Sequence, residues 1–224
     1  MASLIQILLA VAVLCTAPLR PSVEPPITYV FHPVYNSRLT IPSYFRAVGF
    51  INDIGCSATI VKNRYVVTAA HCVDGVDETF VTFLGVAIRK FKVVRRGHKD
   101  LSFKTILPND IAKDWAILTG DTMGIEPLQL AKSPGPDIGA TISLNPVTGR
   151  VQIAIPTAIT GVETTTDGPV IVLSGWLVPG DSGSPIIGSN GQILAILSAH
   201  DGSYLPVAWG VSSATVLKAM EGLK

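Results

Sequence analysis

Charge is what this chain has least of. Charged side chains make up 15% of its 224 residues, against about 25% in ordinary soluble domains. The 17 basic and 16 acidic residues leave a formal net charge of +1, so neither nucleic acid nor an anionic lipid surface is expected as the main partner. Cysteine is scarce as well. Three residues of it exclude a disulfide-dense miniprotein and a four-cysteine zinc ribbon. Internal repeats and low-complexity tracts are missing. What is abundant is apolar: 48% of the residues, which excludes a disordered tail or a solvating acidic protein. The length suits one large domain or two small ones. The 20 glycines and 16 prolines scattered among short apolar runs point to an all-β chain with many turns.

Residues 1–19 carry no charged side chain, the first being Arg20. Their apolar stretch is shorter than the roughly 20 residues of a membrane span and suits the apolar core of a secretory signal. A basic leader is absent, and Pro18 follows the small-residue site Cys15-Thr16-Ala17. An uncleaved short anchor, with membrane contact through 1–19, is therefore the alternative. Bulky Leu14 before Cys15 argues against a lipid-anchored cysteine. The chain is expected to be secreted or extracytoplasmic, and membrane-anchored if the segment stays. Cys56 and Cys72 are the only cysteines beyond it. They form either a bridge or two buried thiols, and export favours the bridge.

Beyond a proline-rich lead-in (20–44), the chain reads as two β halves. Strand-like runs at 57–61, 65–69, 80–84, 87–94 and 115–118 fall in the first half (45–125). Those at 141–144, 151–155, 170–173, 185–187, 193–198 and 207–211 fall in the second (140–224). The stretch 126–139, with Pro127, Pro134 and Pro136, reads as a linker. Only 213–223 has helical spacing, through Val216, Leu217, Met220 and Leu223, with Ser212 or Ser213 as its cap.

Three stretches carry chemistry. In Gly180-Asp181-Ser182-Gly183-Ser184-Pro185 the glycines let the backbone turn tightly around a serine. The N–H groups of Gly180 and Ser182 can then point at one oxyanion. The bland alternative is an ordinary turn. In Val66-Val67-Thr68-Ala69-Ala70-His71-Cys72 an apolar strand delivers a histidine to its rim, where it can act as a general base; many such histidines are merely structural. In Asp114-Trp115-Ala116-Ile117-Leu118 an aspartate opens a buried strand and can hold an imidazole in one tautomer. The alternative there is a solvated strand start. Asp110 is the rival, but no apolar strand begins beside it.

Taken together in the order His71, Asp114, Ser182, the stretches resemble the trypsin/chymotrypsin-like serine proteases, over roughly residues 45–224. Gly55-Cys56-Ser57-Ala58-Thr59-Ile60-Val61 with Val67-Thr68-Ala69-Ala70-His71-Cys72 is similar to that family's histidine region, and Gly180–Pro185 to its serine region. The resemblance implies two antiparallel six-stranded β-barrels, a C-terminal helix and a cleft between the barrels. It implies a serine endopeptidase that works through an acyl-enzyme. Ser182 would be the nucleophile, His71 the base, Asp114 its orienting partner, and the Gly180 and Ser182 amides the oxyanion hole. It implies a Cys56–Cys72 disulfide, no metal, no organic cofactor, and a protein or peptide substrate. That substrate would pair with Ser198–His200 as an added strand.

Departures from the family sharpen the expectation. No Ile-Val-Gly-Gly type start stands in residues 20–50 to pair with Asp181, Ser184 replaces a common glycine, and only one disulfide is expected. These features resemble the compact bacterial or viral members, glutamyl endopeptidases included. The pocket floor aligns with Trp176 and its walls with Ser198, Ala199, His200, Ala208, Trp209 and Gly210. A floor without a carboxylate argues against a preference for Arg or Lys, and a small apolar pocket rimmed by His200 is favoured over an acid-binding one. Arg89, Lys90, Lys92, Arg95, Arg96, Lys99 and Lys104 cluster in sequence, read as a solvated strand edge rather than a polyanion site. Two other functions compete: a catalytically silent binding module on the protease fold, and an ester or acyl hydrolase using the same triad.

Overall fold

Short apolar runs broken by glycine and proline form strands because successive side chains point to opposite faces. The computed structural model describes residues 43–98, 107–133, 135, 138–145, 150–175, 177–200 and 207–223. The segment 1–19 and most of the lead-in 20–44 lie outside the described residues, as do Trp176, Lys99 and Lys104.

A short helix, α1 (Ser43–Arg46), precedes β1 (Val48–Ile51), β2 (Cys56–Lys62), β3 (Tyr65–Thr68), β4 (Glu78–Phe83), β5 (Arg89–Arg96), α2 (Pro108–Lys113) and β6 (Ala116–Gly120). These six strands close into an antiparallel barrel in the order β1-β2-β3-β6-β5-β4. Then follow β7 (Ile138–Asn145), β8 (Arg150–Thr165), β9 (Gly168–Ser174), β10 (Pro185–Ile187), β11 (Ile193–His200), β12 (Val207–Ser212) and the terminal helix α3 (Ser213–Met220). Their strands close a second barrel, β10-β11-β12-β9-β8-β7. The expected all-β fold of two six-stranded antiparallel barrels and a C-terminal helix is the fold observed.

Barrel one is filled by alternation. Along β4, Thr79, Val81 and Phe83 are buried while Glu78 and Phe80 face out. Phe83 meets Phe91 edge-on, with ring centroids 6.1 Å apart. Gly49 lies beneath them, where a Cβ would come within 2.7 Å of the Phe83 ring. Only a residue without a side chain leaves that ring its space.

β11 departs from alternation: Ile193–Ser198 is buried throughout. Ile193 and Ile196 pack into the core of barrel one, and Leu194, Ala195 and Leu197 into that of barrel two. The strand therefore serves both cores. The stretch expected as a linker is likewise anchored. The Leu128 N–H donates to the Ile60 carbonyl (2.9 Å), the Ala131 N–H to the Ile193 carbonyl (2.8 Å), and the Ile193 N–H to the Gln129 carbonyl (2.8 Å). Residues 128–131 thus form a strap across β2 and β11.

Several elements differ from expectation. Helix α2 was not anticipated: its six residues are too few for a periodic signal. It is fixed instead by Pro108 in its first turn and by Ile111 and Ala112 packing with Val170 and Trp209 of barrel two. β8 runs for 16 residues, well past 151–155, because its second half pairs with β9 from Ala158 to Thr165; that half carries no apolar run to announce it. β1 was likewise unforeseen, being four residues long with a glycine inside. At α3, Ser212 is the cap, its hydroxyl accepting from the Ala214 N–H (3.2 Å). Ser213 instead donates to the Ala131 carbonyl (2.7 Å), tying the helix to the strap. Among the described residues no helix is long and apolar enough to cross a membrane.

The basic cluster on β5 is largely engaged by the protein itself. Arg96 donates to the carbonyls of Val73 (3.1 Å) and Val76 (2.6 Å), and Lys90 pairs with Glu78. Arg95 reaches across to the carbonyls of Ala219 and Glu221 at the end of α3. A β-bulge between Val93 and Arg95 re-aims that part of the strand.

Candidate active site

β3 ends at Thr68, and the chain tightens into a 3-10 turn, Ala70–Val73, that carries His71. Asp114 caps the C-terminus of α2, its N–H donating to the Ile111 carbonyl (3.0 Å). It precedes β6 by two residues rather than opening the strand, because α2 turns the chain there. The fully buried Asp114 carboxylate grips the histidine twice. Oδ1 accepts from the His71 backbone N–H (2.9 Å), and Oδ2 lies 2.8 Å from His71 Nδ1. One side chain thus fixes both the turn and the ring. With Nδ1–H donated to a carboxylate, Nε2 carries the lone pair.

Asp114 Oδ2 also accepts from the Ser198 hydroxyl. The sequence assigns Ser198 to the pocket wall and to the substrate-pairing strand, and its bond to Asp114 follows from a bulge. Leu197 pairs with Gly210 and Ala199 with Trp209, so Ser198 is an extra residue in β11 and its side chain turns inward to the carboxylate. Nothing in the continuous apolar run Ile193–Leu197 announces such a bulge.

The serine loop is held from below. The Ser57 N–H donates to the Ser182 carbonyl (2.8 Å) and the Gly183 N–H to the Leu197 carbonyl (2.8 Å). Gly183 has φ +81°, and a Cβ on it would fall 2.0 Å from the Ser57 carbonyl oxygen. Here glycine is required twice over, by the dihedral and by the space. Asp181 is buried, and its Oδ2 accepts from the Val178 N–H (2.9 Å). Gly180, at φ 96°, gives the loop its turn. Among the described residues, neither the Gly180 nor the Ser182 N–H has an acceptor.

The Ser182 hydroxyl opens onto a cleft of about 340 Å³. Barrel one contributes Ile54, Cys56 and His71 to its walls. Barrel two contributes Ser198, Ala199 and His200 beside the serine loop. His71 and Ser182 therefore share one cleft. In this state the Ser182 hydroxyl donates to the Ser198 carbonyl (3.3 Å); catalytic hydrogen bonds are commonly loose before substrate arrives. Among the described residues, no histidine or carboxylate lines a larger hollow of about 460 Å³ beside Gln129–Lys132. Gly210, expected on the pocket wall, is not among the cleft residues. It faces β11, where a Cβ would come within 2.9 Å of the Ile196 carbonyl. Cys56 and Cys72 form a disulfide with Cα atoms 6.0 Å apart, directly beside His71.

Residues 56–196 match the trypsin-like peptidase domain. The chain belongs to that family. No curated protein sequence matches this peptidase-family chain. Among solved structures, the Rv3671c protease in its inactive form superposes with a TM-score of 0.61 at 20% identity, covering 80% of this chain and 89% of that one. The active form of the same protease, from M. tuberculosis, gives 0.59 at 18% identity over 80% and 81%. The HtrA-type protease AlgW with a tripeptide gives 0.63 at 18% identity, over 81% of this chain and 61% of that one. At these identities the likeness is one of fold. The resemblance drawn from the histidine and serine regions holds.

Proposed function

We propose that this family member is a serine endopeptidase. Ser182 attacks the scissile carbonyl, His71 takes its proton and later delivers it to the leaving amine, and Asp114 orients and stabilises the imidazolium. The acyl-enzyme is then hydrolysed by water through the same base. The Gly180 and Ser182 amides take the oxyanion. The observation that carries this reading is the doubly bonded His71–Asp114 pair in one cleft with a serine flanked by two uncommitted N–H groups. The substrate is a protein or peptide whose backbone pairs along Ser198–His200 as an added strand. A small apolar pocket rimmed by His200 receives the side chain before the cut. We also propose export, by a signal or anchor in 1–19, which the disulfide suits because such bridges persist in oxidising compartments.

Fluorophosphonate labelling tests the mechanism. Wild type is expected to be labelled and Ser182→Ala to lose labelling and peptide hydrolysis, by about three orders of magnitude or more in rate. Hydrolysis surviving in Ser182→Ala would overturn it. Folded protein that captures peptides but neither labels nor cleaves would favour the binding module. Turnover of esters alone would favour the acyl hydrolase.

A further inference from the structure

The disulfide lies against the base. Cys72 Sγ is 3.5 Å from His71 Nε2, and the donor atoms of Cys56, His71 and Cys72 all fall within 4.8 Å of one another. Two sulfurs and an imidazole nitrogen at that spacing form a soft donor set, the kind that selects zinc. While the sulfurs are bonded to each other they are poor ligands, since the thiolate is what binds metal.

We propose that reduction of the Cys56–Cys72 bridge converts the barrel-one wall of the cleft into a Cys2His site for a divalent zinc-type cation. The two thiolates and His71 Nε2 would supply three ligands, and water from the cleft the fourth. Three features of the fold favour it. Asp114 already holds Nδ1 at 2.8 Å, and a carboxylate on the far nitrogen is the usual support of a zinc-bound histidine. Cys56 lines the cleft, which gives reductant and metal a way in. The short β2–β3 hairpin and the turn after it hold the two cysteines 6.0 Å apart at Cα, so both thiols stay near the ring once the bond is broken.

The steps balance. A dithiol gives two electrons and two protons to the bridge, leaving two thiols, and departs as its own disulfide. The cation then displaces both thiol protons and accepts the imidazole lone pair. On the proposed function, that lone pair is the one the base needs, so the bound metal silences the peptidase under reducing conditions. The site itself does not depend on that reading.

Cobalt(II), which reports thiolate ligation by its absorption, is the probe. The full-length protein is reduced with a trialkylphosphine, which takes oxygen from water to become its oxide and competes poorly for metal. Near-ultraviolet circular dichroism confirms that the protein stays folded. Reduced protein is expected to bind one cobalt with a thiolate charge-transfer band and tetrahedral ligand-field bands, and zinc to displace it. Oxidised protein is expected to show neither band. His71→Ala should weaken binding at least tenfold while keeping the charge-transfer band, and Cys56→Ser should weaken it further. Equal binding by both redox forms, no charge-transfer band on reduction, or undiminished affinity in His71→Ala would each overturn the proposal. Reduced protein that unfolds before taking up metal would overturn it as well, because the site exists only on the folded scaffold. None of these readouts requires peptide cleavage, so failure of the metal site and failure of the peptidase mechanism are told apart.

Discussion

Two residues of the site carry constraints out of proportion to their size. A Cβ on Gly183 would fall 2.0 Å from the Ser57 carbonyl oxygen, and the residue holds a left-handed dihedral. Gly183→Ala is expected to cost about 2–5 kcal/mol through overpacking and dihedral strain, read as a lowered denaturation midpoint. Ser198 gives one of the hydrogen bonds that hold a fully buried carboxylate. Ser198→Ala is expected to cost about 1.5–3 kcal/mol, the range for hydrogen bonds to charged groups. If its role is to fix the His71–Asp114 pair, the fluorophosphonate labelling rate of the folded variant should fall by at least tenfold even where the population of unfolded protein is negligible. A rate matching wild type would mean that Ser198 serves stability alone.

At the scale of elements, α2 is the least foreseen and among the most consequential. It rises from barrel one, packs Ile111 and Ala112 with Val170 and Trp209, and ends on Asp114. Lys113, its last residue, pairs with Asp167 in the β8–β9 turn at 2.8 Å. The Lys113 hydrogen bond, against some opposing desolvation, holds the Asp167 carboxyl below its ordinary range. A depressed folded-state value means that the stabilisation is present above the ordinary aspartate range and is lost as pH falls through the folded value. The pair is partly exposed, so the contribution is small and screened by salt. Acid titration of stability should show wild type losing a small, salt-sensitive increment over that window that Asp167→Asn does not lose. Motifs made the histidine, aspartate and serine legible, because each requires particular residue types at fixed neighbouring positions. The helix that delivers Asp114, the bulge that turns Ser198 and the length of β8 were not legible. The helix is set by packing against residues far away in sequence, while the bulge and the strand length are set by the register of pairing with a neighbouring strand, which local apolar pattern does not encode.

The whole molecule is two barrels by topology but not two independent cores. Ile187, Ile193, Ile196, Val211 and Val216 of the second half belong to the apolar cluster of the first, while the 128–131 strap hydrogen-bonds to β2 and β11. Burial of a large aliphatic side chain contributes about 1.5–3 kcal/mol, so the five shared residues couple the halves by more than thermal energy can uncouple. Calorimetry is expected to give one transition whose calorimetric and van't Hoff enthalpies agree; two resolved transitions would show that the halves melt separately. The shared strand has a further consequence. The same eight residues of β11 enter the joint between the barrels at Ile193 and reach the cleft at Ser198 and His200. Heat inactivation should therefore leave no intermediate population that is folded in one half and still competent: the last molecule to retain its shape should also be the last to retain its activity.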